Sequence, residues 1–266
     1  MAKRNPIDKG MCFSFYQGFA YYHLLLFGYC SSVISISMRE VFLISVDQLV
    51  GKDDSALIAV GKQFLHRDIV DDWSALQAAA SSVGFDLAAV SAYRSFERQL
   101  VIWNEKADGH RPLLDANGER LDVTQLDDRS IVFAILRWSA LPGGSRHHWG
   151  TDIDVYDRAA VPSDFHVQLI DDEVECGGVF APLHDWLDDQ IDRQLTNGFY
   201  RPYQGVIDGG VAPERWHLSH QVTAAHFSRL LTAETLYNVL KKEKGMRLRD
   251  TVLANFDEIF ARYIAY

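Results

Sequence analysis

Two separated segments of this chain carry side chains that could hold a metal ion and activate water. The first is Ser145-Arg146-His147-His148-Trp149-Gly150-Thr151-Asp152-Ile153-Asp154, and the second, some sixty residues later, is Glu214-Arg215-Trp216-His217. Together they offer histidines, a carboxylate and a spare glutamate, the minimum set for a catalytic zinc hydrolase. Zinc takes imidazole nitrogen and carboxylate oxygen, and a catalytic site uses three protein ligands and leaves the fourth position for water. A glutamate outside the ligand set can then accept the proton of that water.

The spacing has a physical reading. Residues 151–156 alternate polar and apolar side chains and are rich in β-formers, which predicts a strand with one buried face. Asp152 and Asp154 then point to the same side. Gly150 lies between His147 and this strand, and its conformational freedom allows a tight turn that folds His147 back toward Asp154. Glu214 and His217 would share a face on a helical turn and oppose one another on a strand. A turn or bend is therefore expected there, with Pro213 at its start. A His-x6-Asp pair alone is more often a surface loop than a ligand pair, and a lone Glu-x-x-His is weaker still. Both together, in this order and flanked by Ser145, Gly150 and Trp216, reverse those odds.

These segments resemble the Ser-x-His-x-x-Gly-x-x-x-Asp and Glu-x-Trp-His motifs of the D-alanyl-D-alanine carboxypeptidase and dipeptidase family. That family includes the vancomycin-resistance enzymes and phage endolysins, and it stands with lysostaphin-type peptidases and the hedgehog signalling domain in one zinc superfamily. A third segment, Ser91-Ala92-Tyr93-Arg94-Ser95-Phe96-Glu97-Arg98-Gln99, is similar to the family's Ser-Gly-Tyr-Arg-Ser-x-x-x-Gln. The order of the three is the family's, and the resemblance covers roughly residues 55–222.

The resemblance implies that His147, Asp154 and His217 hold Zn2+. It implies that Glu214 is the general base and later hands its proton to the leaving amine. Arg94 would steady the scissile carbonyl oxygen or the substrate's terminal carboxylate, and a guanidinium fork suits either task. Ser145 and Gln99 would be supporting hydrogen-bond groups near the substrate, with Tyr93 and Tyr203 as further candidate contacts. The implied substrate is a peptidoglycan stem peptide or the D-Ala-D-Ala dipeptide; the stereochemistry comes from the resemblance alone. One position departs from the family, which usually has a small apolar residue where this chain has Asp152. Strand polarity favours a solvent-facing or structural Asp152; the other reading is that it orients a ligand histidine.

The composition of the 266 residues, 48 % apolar and 23 % charged, is that of a globular protein. A net charge of −10, with no basic stripe, disfavours nucleic acid and anionic membrane surfaces as partners. Cys12, Cys30 and Cys176 form no Cys-x-x-Cys pair, so neither a disulfide framework nor sulfur ligation is expected. A monomer is expected.

Lys3, Arg4 and Lys9 precede a mostly apolar run from Met11 to about Met38, the order of a signal peptide or membrane anchor. Its apolar core, residues 18–30, is shorter than the ~20 residues a spanning helix needs. Tyr29 before Cys30 does not suit a lipoprotein-type cleavage site. Residues 1–37 are read as a signal or anchor, a packed extra element, or an extension upstream of a true start at Met38. A signal or anchor places the protein in the periplasm or cell envelope; a start at Met38 places it in the cytoplasm.

Downstream, Asp54-Ser55 could cap a short helix. Residues 68–83 have helical spacing, with Ile69, Trp73, Leu76 and Ala80 on one face and Gly84 closing the helix. Residues 87–93 read as a strand leading to Arg94, and Ser95 opens a helix with Phe96, Leu100 and Trp103 as its stripe. Residues 106–122 read as a turn-rich loop, 126–140 as a helix packed by Ile131, Ile135 and Trp138, and 183–195 as another helix. The glycine-rich loop 200–213 is expected to line the cleft. Two amphipathic helices are expected over 224–244 and 250–266. His148 reads as a surface residue, His220 as a packing or supporting group, Cys176 as a buried thiol, and Trp149, Trp186 and Trp216 as core, with an edge of the substrate pocket as the other reading of Trp216.

The expected fold is α+β: a small, mainly antiparallel sheet carrying the zinc site, helices packed on one side, and additional C-terminal helices. Residues 38–222 would form the zinc peptidase domain and 223–266 a helical extension packed on it. The expected function is a zinc-dependent D-alanyl-D-alanine carboxypeptidase or dipeptidase. A peptidoglycan endopeptidase of the endolysin kind and a non-catalytic, zinc-stabilised binding module remain as alternatives.

Overall fold

Alternation over residues 152–157 does produce a strand, and both of its faces are covered. The computed structural model describes residues 44–116, 118–204 and 210–265, so the readings of residues 1–37 and of a start at Met38 lie outside the described residues. Along the chain run α1 (Val46–Leu49), β1 (Leu57–Val60), β2 (Gln63–His66), α2 (Val70–Ser82), β3 (Leu87–Ser91) and α3 (Phe96–Ala107). Then come β4 (Leu113–Leu114), β5 (Arg120–Leu121), α4 (Asp128–Trp138), β6 (Asp152–Asp157), α5 (Asp171–Val174), α6 (Ala181–Asp192), β7 (Phe199–Tyr200) and β8 (His217–His220). The chain closes with α7 (Gln221–Leu230), α8 (Ala233–Lys242), α9 (Arg249–Ala254) and α10 (Phe256–Tyr263). The fold is α+β, and no described helix is long and apolar enough to cross a membrane.

The main sheet has four antiparallel strands in the order β3-β6-β8-β7. On one face Ile153 and Val155 of β6, Leu87, Leu218 and Phe199 pack against Trp73, Leu76 and Ala80 of α2 and Leu183 and Leu187 of α6. The helical recurrence of apolar residues in α2 is what supplies its half of this core, and Gly84, at φ 99°, ends the helix in a left-handed turn. The opposite face carries polar residues. Asp152 pairs with Ser219, Ile153 with Leu218 and Asp154 with His217. Directly opposed residues share a face, so this register sets Asp152, Asp154, His217 and Ser219 side by side.

A second core lies among the remaining helices. Phe96 and Trp103 of α3, Ile131 and Ile135 of α4, and Leu236, Leu240, Val252, Phe256 and Ile259 of the C-terminal helices share it with Trp149. Caps set the helix starts: Ser95 accepts from the Arg98 N–H, Asp127 from that of Ser130, and Thr232 from that of Thr235.

Several local expectations need correction. The expected helix over 224–244 is two helices, because Thr232 opens a new one. The expected loop over 106–122 contains the β4–β5 hairpin. Asp54-Ser55 precedes strand β1 and caps no helix. Trp138 is half-buried, its indole N–H donating to the Asp115 carbonyl at 3.0 Å.

Candidate active site

The segment 145–150 makes a tight 3-10 turn, and Gly150, at φ 66°, returns the chain into β6. A Cβ at this position would lie 2.6 Å from Leu57 Cδ2 and 2.9 Å from the His66 nitrogen, so a side chain is excluded by space as well as by φ. The turn brings His147 against Asp154. The His147 Nδ1 lies 2.6 Å from the Ala92 carbonyl oxygen. A carbonyl only accepts, so Nδ1 carries a proton, and Nε2 lies 3.4 Å from Asp154 Oδ2.

The second segment turns as well. The His217 N–H donates to the Glu214 carbonyl at 3.1 Å, and β8 begins at His217 directly opposite Asp154. The His217 Nε2 is 2.9 Å from Asp152 Oδ1; its Nδ1 is 3.1 Å from Asp154 Oδ1 and 3.5 Å from Glu214 Oε2.

One ligand atom from each of His147, Asp154 and His217 therefore lies within 4.8 Å of the other two, and all three residues are buried. Asp154 Oδ1 and His217 Nδ1 face one another without forming a hydrogen bond, and each is buried with no hydrogen-bond partner. Orphaned buried polar atoms are rare and costly. A cation accepted by both atoms removes that cost, and two imidazoles with one carboxylate is a zinc donor set. The residues fit Zn2+.

The electrostatics agree. Burial works against a charge on Asp154, but His147 and His217 outweigh it and hold the carboxyl far below the ordinary range. Burial likewise disfavours a charged His217, yet Asp152 and Asp154 overcome it and favour positive charge on this ring. Glu214 goes the other way. Burial pushes it up to about 7; Asp154 adds to the rise, and His217, Arg94 and Lys106 oppose it. Two nearby acids are thus driven apart, one permanently ionised and one able to exchange a proton near neutrality.

A cleft of about 710 Å³ opens over these residues, lined among others by Arg94, Lys106, Arg111, Ser145, Tyr203 and Trp216. The Arg94 guanidinium is held by Gln99 Oε1 at 2.9 Å and Ser91 Oγ at 3.4 Å. Gln99 is fully buried, with Nε2 donating to the Ala140 carbonyl at 2.6 Å. It does not line the cleft, so its contact is with Arg94 and not with a substrate. Tyr93 is also turned away, its hydroxyl donating to the Gly51 carbonyl at 3.1 Å.

Asp152 is fully buried and not solvent-facing. It lies on an interior strand, and the elements that cover it cannot be read from alternation. His148 is buried between the Arg94 carbonyl, 2.6 Å from Nδ1, and the Gly143 N–H, 2.9 Å from Nε2. Cys176 is exposed. His220 caps α7 and reaches Asp72 at 3.2 Å, away from the triad. Trp149 and Trp216 are buried and Trp186 is half-buried.

Two features escape a reading of the sequence, the place of Lys106 in the cleft and the Arg146–Asp152 pair, whereas Tyr203, a candidate contact, does line the cleft. Lys106 sits in the last turn of α3, where an amphipathic pattern reveals nothing of the cleft. Burial and the neighbouring Arg111 and Arg94 push it down to about 8, against the pull of Glu214. Tyr203 places its ring 4.8 Å from that of His217. Arg146 and Asp152 form a buried ion pair at 2.8 Å behind His217, for which two opposite charges flanking Gly150 are the only sequence signal.

Comparison with known proteins fits this geometry. Residues 62–223 match the VanY family, D-alanyl-D-alanine carboxypeptidase. Two Haemophilus influenzae proteins, both described as uncharacterized, are similar. One is 42 % identical over 100 residues, covering 36 % of this chain and 68 % of that protein. The other is 30 % identical over 125 residues, covering 47 % and 92 %. A solved structure of VanYB in complex with D-alanine-D-alanine is 23 % identical with a TM-score of 0.43, over 71 % of this chain and 89 % of that one. The family match spans more than half of this chain and takes in all three motif segments, 91–99, 145–154 and 214–217. The chain belongs to the VanY D-alanyl-D-alanine carboxypeptidase family.

Proposed function

We propose that this protein is a zinc-dependent D,D-carboxypeptidase or dipeptidase that hydrolyses the terminal peptide bond of a peptidoglycan stem peptide or of D-alanyl-D-alanine. The observation that carries the reading is the buried triad of His147, Asp154 and His217, with two orphaned atoms facing one point and Glu214 beside it. Zinc held there supplies Lewis-acid polarisation of a carbonyl and a more acidic water.

The protein's own groups supply the rest. Glu214 retains 17 % side-chain exposure toward the cleft and binds a proton near neutrality. That suits a base that takes the proton of the attacking water and returns it to the leaving amine. Arg94, fixed by Gln99 and Ser91, presents a positive charge where the carbonyl oxygen becomes an oxyanion. Lys106 and Arg111 share the cleft with Arg94. A wall with three cations suits a peptide that ends in a free carboxylate. This favours removal of a terminal residue over cleavage within a cross-link, where an amide stands in place of that carboxylate.

The test is alanine release from D-alanyl-D-alanine and from a pentapeptide stem, using zinc-loaded wild type and Glu214→Ala with metal content checked by elemental analysis. Release by wild type alone supports the hydrolase and its base, and the preferred substrate separates dipeptidase from carboxypeptidase. Bound zinc with neither substrate cut turns the reading toward an endopeptidase or a binding module. A wild type that binds no zinc sinks it.

A further inference from the structure

Behind His217, on the side away from the triad, lies a second set of charges that metal binding alone does not require. Asp152 accepts from His217 Nε2 at 2.9 Å and from Arg146 Nε at 2.8 Å on one oxygen, and from Thr151 Oγ1 at 2.6 Å on the other. Arg146 donates in turn to Ser219 Oγ at 2.5 Å and lies over the Trp149 ring at 5.3 Å. Ser219 is the residue opposite Asp152 in the β6–β8 register. Asp152, Arg146, His217 and Ser219 are all buried, with Asp152 and Ser219 at 0 % exposure.

Stability is a poor explanation for this arrangement. A buried ion pair is often no better than well-packed apolar groups of the same volume, because both charges lose their hydration. The geometry does have one directed consequence. An ionised carboxylate can only accept, so His217 Nε2 carries a proton, and Nδ1, which faces Asp154, is the nitrogen left to offer its lone pair to a cation. The anion behind Nε2 also makes the ring a stronger donor to a cation at Nδ1.

We infer that Asp152 is a positioning residue: seated by Arg146 and Thr151, it fixes the tautomer and orientation of His217 and so tightens the metal site. This rests on the zinc reading above. With a small side chain at 152, the Nε2 proton loses its acceptor and the ring is free to turn or to change tautomer. The catalytic groups in the cleft are untouched by that change.

The experiment compares zinc affinity, by competition with a chromophoric chelator, for the full-length wild type, Asp152→Ala and Asp152→Asn. It is joined by 15N NMR of the histidine rings in the zinc-loaded proteins. Asp152→Ala is expected to bind zinc about 10–100-fold more weakly, and the protected His217 Nε2–H seen in wild type disappears. Asp152→Asn, which keeps an acceptor oxygen but not the charge, falls between the two. If Asp152→Ala does not fold, the pair Arg146→Met with Asp152→Ala removes both buried charges together and carries the same expectation. Zinc affinity within about twofold of wild type, with the His217 tautomer unchanged, overturns the inference and leaves the zinc reading intact. A wild type that binds no zinc overturns both.

Discussion

The two faces of β6 are buried to the same degree and are opposite in character. Ile153 and Val155 sit among hydrocarbon side chains of α2 and α6. Asp152 and Asp154 meet imidazole and guanidinium groups. The apolar face needs only shape, since burying it removes hydrocarbon from water. The ionic face survives burial only where each charge finds a partner. Asp154 Oδ1 and His217 Nδ1 are left over from that pairing, and they are the atoms that fit a metal. Arg137 Nε, His184 Nε2 and Arg201 Nη1 are also buried without partners, so an orphaned atom marks a metal site only where donor atoms converge, as they do here.

Two imidazoles repeat the contrast. His217, between two carboxylates, favours positive charge. His184, on the helix that covers the apolar face, is buried beside Arg201 and Arg215 and is pushed down to about 3. It stays neutral, with Arg201 3.4 Å from its Nδ1. The surroundings of one ring attract positive charge and those of the other repel it.

The comparison can be broken on either face. On the ionic face, Asp154→Ala removes the only anionic member of the triad, and zinc binding and hydrolysis should both be lost, as read by elemental analysis and alanine release. Glu214→Gln should lower the rate on the order of 10²–10⁴ while zinc stays bound, because a base is removed and no ligand is. On the apolar face, Ile153→Ala should destabilise the protein by roughly 2–5 kcal/mol in denaturant unfolding. Its activity per zinc-loaded folded molecule should not change. If activity falls with stability intact, the two faces are not separable as argued.

His184 sharpens the contrast through pH. Its folded value lies below the unfolded 6.5, so the unfolded chain binds the extra proton first. Its contribution is present above about pH 6.5 and is lost as pH falls toward 3, at about 1.4 kcal/mol per pH unit. His184→Gln should flatten the stability-versus-pH curve over that window by this amount. An unchanged slope would show that the ring is not held neutral. The smallest effect is expected at Tyr93→Phe, which removes one hydrogen bond worth about 0.5–1.5 kcal/mol and should leave KM unchanged. A raised KM would return Tyr93 to the cleft.

Much of the site is legible because its chemistry is carried by residue type and short spacing. Gly150 between His147 and Asp154, and a Glu-x-Trp-His turn, are local features that a sequence can display. Helix α2 is legible for the same reason, since Ile69, Trp73, Leu76 and Ala80 recur at helical spacing. The β1–β2 hairpin is not, because Ile58 and Phe64 are exposed and blur its alternation. The burial of Asp152 is not legible, because alternation records polarity and not coverage. Gln99 and Tyr93 stand in a motif, but which way each side chain turns depends on Ala140 and Gly51, 41 and 42 residues away.

The sequence by itself determined the donor types, the tight turn at Gly150, the β-character of 152–157 and the helical stripes that feed both cores. These depend on neighbours within a few residues, where sterics and periodicity decide. Only the tertiary structure decided that Asp154 lies opposite His217, that Asp152 is sealed behind that ring with Arg146, and that Lys106 faces the cleft. Those facts follow from pairing and burial between segments far apart in the chain, and no local pattern specifies a strand's partner or what covers its face.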